Sequence, residues 1–528
     1  MAVLERPIDR EFNTEAELGE RFNTTFLNNL IDTHSNKIAP RLRHWQRLYE
    51  GKHTILKKRE RKQYKKANKR DPNNVVVNDF FGQIIDNTVG YFLGNPVILN
   101  YTEPKEERPE IDPNDVGVDL DAVGDDTAVQ DWLDYTGADN DISDTIIEWG
   151  KEGCIKGLSH LLVYQNEEGK TKVMRVSPED MILVYKNSST KELQNAIRLY
   201  DIDTEDTRKT THYAEVYSMG VNGRARMELF KSSGDIGVSM GKDQSREFAG
   251  YEFVEETPLI YDRIPVVTLY NNEEQMSDLE KIETLVNDYD KVLSDMSDEF
   301  SVFRNAYLVL RNMIVDEKGK TQLKEEAIIE LMENGDAFFL TKQIQTDALE
   351  NHLKRLEDNI YKFSQVPNLS DENFAGNLSG VAIRFKLFGL ETKCIIKERK
   401  MEKALKDFVR VLSVPIQVST GHIVDVVNLK IEFTRNVPNN LTEIVDTVAK
   451  LDGKVDKETL LSLLPFVDNP KEILEKMEAD AEAQKKSTDI YSDRNMDADA
   501  EVLFPNRVIT GGSILPSNDN TPINDGVE

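Results

Sequence analysis

The sequence predicts an α+β fold on three observations. β-rich runs are confined to the stretch from Cys154 to Tyr270, long amphipathic helices dominate after Asn272, and segments dense in turn formers separate them. The 528 residues, 39% hydrophobic and 30% charged, suffice for roughly three or four domain-sized units with a buried core. The 66 Lys+Arg against 95 Asp+Glu leave a net charge of −29. Such an excess argues against a protein that wraps nucleic acid, because that affinity comes from Lys and Arg releasing counterions. It does not argue against one that lets DNA pass. The two cysteines, Cys154 and Cys394, form no CxxC, so neither a disulfide framework nor a cysteine zinc site is expected, and the chain reads as intracellular. Glu5, Asp9, Glu11, Glu15, Glu17 and Glu20 crowd the start, where no basic segment precedes an apolar one, so no secretory signal is expected. No apolar run reaches the ~18 residues of a membrane span.

Charge is distributed unevenly. Between Arg41 and Arg70 stand thirteen Lys+Arg and two Glu, including the block KKRERKQYKKANKR at 57 to 70. This is either a solvated face or a contact for nucleic acid or an acidic neighbour. From Glu103 to Glu148 the balance inverts to sixteen acids against Lys105 and Arg108, so 103–148 reads as an acidic insertion, exposed from Pro104 to Asp126. Between these, Phe80, Ile84, Ile85, Val89 and Phe92 repeat at helical spacing and stop at Gly94 and Pro96, predicting a helix over 79–94. Short runs such as HLLVYQN, KVMRVS, DMILVYK, AIRLYD, HYAEVYS and VVTLYNN then predict strands.

After Asn272, Leu279, Ile282, Val286, Tyr289, Leu293, Met296, Phe300 and Phe303 follow by threes and fours, an unbroken seam of period 3.5. Outside it lie Asp278, Glu280, Glu283, Asp288, Asp290, Asp295, Asp298 and Glu299 against Lys281 and Lys291, so one flank of this helix is densely acidic. A β-α-β insert follows, with strands at 306–310 and 336–341 around a helix near 323–332. A second amphipathic helix runs through Leu349, Leu353, Leu356, Ile360 and Phe363. The insert therefore sits at the tip of a helical hairpin. PNLSDENFAGNLSG, from Pro367 to Gly380, holds too many turn formers for a helix and is long enough to be a functional loop. A third helix runs from about Ser379 to Leu412, with Gly389 permitting a close crossing or kink. The strand VVNLKIEFTR, short helices in KETLLSLLPFV and KEILEKMEADAEAQKK, and a polar tail over 487–528 that reads as disordered complete the chain.

No catalytic constellation emerges. Gly169-Lys170-Thr171 and Gly319-Lys320-Thr321 lack the upstream glycine of a phosphate loop, since Tyr164 and Ile314 stand there. His34, His44, His53, His160, His212, His352 and His422 show no metal-ligand spacing, and no GxSxG occurs. No cofactor or metal is expected, and the chain is not read as an enzyme.

In its succession of elements the chain resembles the portal proteins of tailed bacteriophages, in the siphophage-type branch that infects Gram-positive bacteria. The resemblance rests on RLYEGKHTIL (47–56), DPNNVVVNDFFGQIIDNTVGYFLGNPV (71–97), SGVAIRFKLFGLETKCIIKERK (379–400) and KVDKETLLSLLPFVDNPKEILEKME (454–478). It implies a wing over 1–272 and stem helices over 273–303 and 344–366 around a clip at 304–343. A tunnel loop over 367–380, a long wing helix and returning strand over 381–450, a crown over 451–486 and the tail follow. It further implies a homo-oligomer of twelve subunits at the unique capsid vertex, in the virion after assembly in the host cytoplasm. Its channel would carry double-stranded DNA in packaging and ejection, and its partners would be the terminase large subunit, a head-completion or adaptor protein, the scaffold and the major capsid protein. The loop's DNA-facing candidates are then Asn368, Ser370, Asp371, Glu372, Asn373, Phe374 and Asn377. The acidic helix flank would form a collar that repels phosphate. Two other readings remain on the residues alone: a carboxylate-based, metal-dependent nuclease, and an oligomeric scaffold outside phages.

Overall fold

A computed structural model describes residues 21–65, 73–102, 127–186, 192–203, 210–234, 250–303, 307–311, 336–340, 346–369, 380–437, 448–462 and scattered positions to 477. The chain divides into two compact units, Met1–Val437 and Pro438–Glu528.

The first unit opens with α1 (Thr24–Thr33), whose N-cap Asn23 accepts from the Phe26 amide at 3.1 Å. A π-helical turn, His34–Ile38, joins it to α2 (Ala39–Tyr49), and α3 (Thr54–Lys65) follows. The expected helix is α4 (Phe80–Leu93), capped by Asp79 through the Gly82 amide at 2.9 Å. β1 (Ile98–Tyr101) leads to α5 (Ala128–Asp139) and α6 (Ile142–Lys156). The sequence reading of 103–148 as one acidic insertion is corrected for its second half. Val129, Leu133, Ile146 and Trp149 are buried in the main core, because apolar residues at helical spacing outweigh the acids between them. Pro104 to Asp126 lies outside the described residues.

The strands fall where the β-rich runs were read. β2 (Leu158–Gln165) pairs antiparallel with β3 (Thr171–Val176) and with β9 (Val266–Tyr270). β4 (Met181–Tyr185), β5 (Leu193–Asp203), β6 (Thr210–Met219), β7 (Ala225–Gly234) and β8 (Glu252–Pro258) form an antiparallel sheet in that order. Leu27, Leu30 and Ile31 of α1 cover one face of this sheet over Ile182, Val184, Ile197, Val216 and Phe230. Gly169 occupies the β2–β3 turn at φ 76°, so that Gly-Lys-Thr sits in a hairpin, and Gly319 lies outside the described residues.

Gly157 ends α6 in the left-handed region at φ 91°, and a Cβ there would stand 2.3 Å from the Gln275 carbonyl oxygen. The chain after β9 can thus cross the α6 end only against glycine. α7 (Glu283–Phe303) begins four residues later than the seam suggested, Leu279 and Ile282 being buried in the turn before it. β10 (Tyr307–Arg311) pairs antiparallel with β11 (Asp336–Leu340), Tyr307 opposite Leu340, and the helix expected between them lies outside the described residues. α8 (Thr346–Ser364) packs on α7. α9 (Gly380–Thr420) outruns its expected end and contains Pro415. A Cβ at Gly389 would meet the Gln365 carbonyl at 3.6 Å, an ordinary contact, so the crossing there does not demand glycine. β12 (Leu429–Glu432) pairs antiparallel with β1.

In the second unit, α10 (Lys457–Ser462) starts where Asp456 accepts from the Thr459 amide at 2.9 Å. Most of 463–486, and all of the tail over 487–528, lie outside the described residues.

Candidate functional site

The residues singled out by the sequence concentrate on α7, which buries two faces. One is the seam. Val286 is fully buried, Tyr289, Leu293 and Met296 are half-buried, and Phe300 is 49% exposed. Leu279 and Ile282 continue it into the preceding turn, and Phe303 closes the helix. Phe80 meets Tyr289 edge-on at 5.1 Å and Tyr361 at 5.9 Å, which ties α4 to both α7 and α8.

The second face meets the segment 41–78, and this was not anticipated. Outbound, this segment runs parallel to α7. Arg41 reaches Glu280 at 3.2 Å, His44 reaches Glu283 at 2.9 Å, His53 reaches Asp290 at 2.5 Å, and Arg59 grips both Asp295 and Asp298. Arg41–Glu280, His44–Glu283 and Arg59–Asp298 share one sequence offset, 239 residues, so helix turns are matched to helix turns.

Returning, the segment is extended and antiparallel. The amides of Asn74, Val76 and Asn78 donate to Asp298 Oδ1 at 2.6 Å, Ser294 Oγ at 3.0 Å and Asp290 Oδ1 at 3.0 Å. Every second residue of the segment thus meets every fourth residue of the helix. The match is geometric, because an extended chain rising about 3.3 Å per residue keeps step with a helix rising about 1.5 Å. Side chains of α7 therefore serve as the hydrogen-bonding edge for a backbone that no described strand pairs.

The acidic surface is corrected accordingly. Asp290 is 0% exposed, and Glu280, Glu283 and Asp298 are engaged by the segment. The Asp278 side chain is nearly buried too, with Lys393 at 2.9 Å and Lys397 at 3.0 Å. The reason is charge pairing: the basic run at 41–70 is the same molecule's counterpart to the helix, at least through Arg59. Asp288, Asp295 and Glu299 lie toward the side away from the seam. Asp288 stands 3.5 Å from His352 of α8, and Asp295 stays half exposed beside Arg59.

Asp278 is the centre of a buried polar hub. Lys397 Nζ also reaches Asn271 Oδ1 and, at 3.3 Å, Cys154 Sγ, while Lys393 donates to the Ser364 carbonyl at 3.2 Å. Burial alone would raise the Asp278 carboxyl, but Lys393, Lys397 and the Asn271 amide outweigh it and hold the group well below the carboxylate range. Burial would likewise lower the Lys397 ammonium, and Asp278 reverses the shift. Burial pushes the Cys154 thiol up and the Cys394 thiol up to about 12. Both thiols are thus held protonated. The hub joins α6, the turn before α7, the end of α8 at Ser364 and α9 at Lys393 and Lys397. A second clamp holds α9 to the returning strand: Arg435 bonds Glu391 at 3.1 Å and also Glu398, and Tyr91 donates to Glu391 at 2.6 Å.

Of the loop candidates, Asn368 is described, donating to Glu357 at 3.1 Å. Ser370, Asp371, Glu372, Asn373, Phe374 and Asn377 lie outside the described residues. Among the described residues no group of three His, Cys, Asp or Glu is placed to hold a metal ion, and no helix is long and apolar enough to cross a membrane.

The arrangement among the described residues is one of long helices latched by charge. The chain is 26% identical over 381 residues to the portal protein of Bacillus phage SPP1, covering 70% of this chain and 73% of that one. It is 24% identical over 439 residues to the portal protein of Clostridium phage phiCD119, covering 80% and 89%. The family described as phage portal protein, SPP1 Gp6-like, matches residues 28–487, so the whole of the helical apparatus described above falls within it, and the chain belongs to that family.

Proposed function

We propose that this chain assembles into a closed ring of twelve copies at the unique capsid vertex, forming the channel through which DNA is packaged and later ejected. The observation that carries the reading is family membership over 28–487, joined to a helix pair α7/α8 that brackets the paired strands β10 and β11. In this reading 1–272 is the wing, α7 and α8 the stem, 304–343 the clip that docks the terminase and then head-completion proteins, and 451–486 the crown. A portal family is structural rather than enzymatic. The energy for packaging then comes from the terminase, and this chain supplies shape and surface.

Polar side chains of the 367–380 loop touch the duplex, with Asn368, Ser370, Asp371, Glu372, Asn373, Phe374 and Asn377 as the contacts. The hub at Asp278 ties the end of α8 to α9 at Lys393 and Lys397, so that the loop shifts together with those two helices. Repulsion of phosphate by the channel wall falls to acids that the segment 41–78 does not engage, such as Asp288, rather than to the whole flank. Native mass spectrometry tests the reading. A closed species at a multiple of the 60.3 kDa chain mass is expected, and a protein that stays monomeric under every condition overturns it.

A further inference from the structure

α9 is two-sided. Its core face carries Leu390, Cys394, Lys397, Met401, Leu405 and Phe408, all buried. On the opposite side Phe385 is 76% exposed, Phe388 68%, Ile395 41% and Ile396 52%, with Arg399 and Lys403 exposed beyond them. At about 100° per residue these six fall within a stripe roughly 100° wide, apolar at the loop end and basic at the other. No described residue covers it.

We infer that this stripe is the face on which a second copy of the chain seats, and the inference rests on the ring reading above. Three arguments select that occupant. Two phenylalanines and two isoleucines so exposed present roughly 400 Å² of apolar surface, which is comparable with the largest contiguous apolar patch of a typical monomer and about half of what one partner contributes to a stable interface. The basic end needs acid, and a chain with 95 acids against 66 bases offers it on any copy of itself. The stripe is also not self-complementary. Set antiparallel on its own copy, Arg399 and Lys403 would face Phe385 and Phe388; set parallel, base would face base. The partner patch is therefore a different one, and such head-to-tail contacts build a ring where the rotation between copies closes.

Phe388→Asp, Ile396→Asp and Arg399→Glu in the full chain test this, with assembly followed by native mass spectrometry and folding by thermal melting at a dilution where wild type is monomeric. Each apolar variant should raise the concentration needed for assembly by about tenfold or more, the effect of losing one well-buried interface side chain, with monomer melting unchanged. Arg399→Glu should do the same and make assembly less sensitive to salt. Unchanged assembly in all three, while wild type forms rings, overturns the inference and leaves the ring reading standing. A fall in monomer melting would show that the chain's own segments cover the stripe, and this too overturns it. Wild type that never assembles removes both.

Discussion

Asp290 and His53 form a fully buried pair, Nδ1 to Oδ2 at 2.5 Å, and the second oxygen of the same carboxylate accepts from the Asn78 amide. One α7 side chain thus holds both the outbound and the returning limb of the segment 41–78.

Removing Asp290 should therefore loosen both limbs together. Asp290→Ala leaves a buried imidazole and a buried amide without their acceptor and should cost about 3 kcal/mol, with faster hydrogen exchange in 54–65 and 73–78. Asp290→Asn keeps an acceptor for Asn78 and should cost less. Equal losses from the two variants would contradict the role given to the second oxygen.

Asp278 makes a pH prediction. Its carboxyl is held below the unfolded value of about 3.9, so its contribution is present above about pH 4 and is lost as pH falls through the folded value. Asp278→Asn should cost about 3 kcal/mol at pH 7, where two buried ammoniums lose their counterion, and the gap from wild type should close in strong acid. Melting curves over pH 2 to 8 would show it; a gap independent of pH would count against it.

His160 acts in a higher window. Burial first, then the charges of His34 and Lys156, pull its imidazole down to about 3, and its Nδ1 lies 3.0 Å from Thr268 Oγ1. Between an unfolded value of about 6.5 and that folded value the unfolded chain binds a proton that the native chain does not. Stability therefore falls with acid by up to about 1.4 kcal/mol per pH unit. His160→Gln should flatten the profile in that window while leaving stability near pH 8 little changed. His34, also lowered chiefly by burial, should leave a residual slope that a double variant removes.

Gly157→Ala should destabilise by more than about 1 kcal/mol, since φ 91° and the Gln275 carbonyl both oppose a side chain. Gly389→Ala should be neutral or mildly stabilising, because that glycine lies inside α9 with ordinary space around it. Equal effects in thermal melts would contradict the distinction.

Much of the fold was legible because its signals are local. Phe80 to Phe92 repeat at helical spacing and stop at Gly94, and α4 spans Phe80–Leu93. HLLVYQN and VVTLYNN are short apolar and β-branched runs bounded by turn formers, and they pair as β2 and β9. The acidic flank of α7 misled because acids were counted without their partners. A charge run cannot name a counterpart more than two hundred residues away, although the three-residue step from Arg41 to His44 repeats in Glu280 to Glu283 and carries a trace of it. The same counting hid α5 and α6, where Val129, Leu133, Ile146 and Trp149 carry a helical period beneath the acids. Nothing local to α9 announces that Lys393 and Lys397 meet a buried carboxylate from another element.

Electron microscopy of the purified full-length protein tests the central claim most directly. The account predicts closed rings with an axial channel, in which Glu283, Asp290 and Asp298 face the segment 41–78 of their own subunit. Monomers under all conditions, or rings whose channel is lined by Glu283, Asp290 and Asp298, would contradict it.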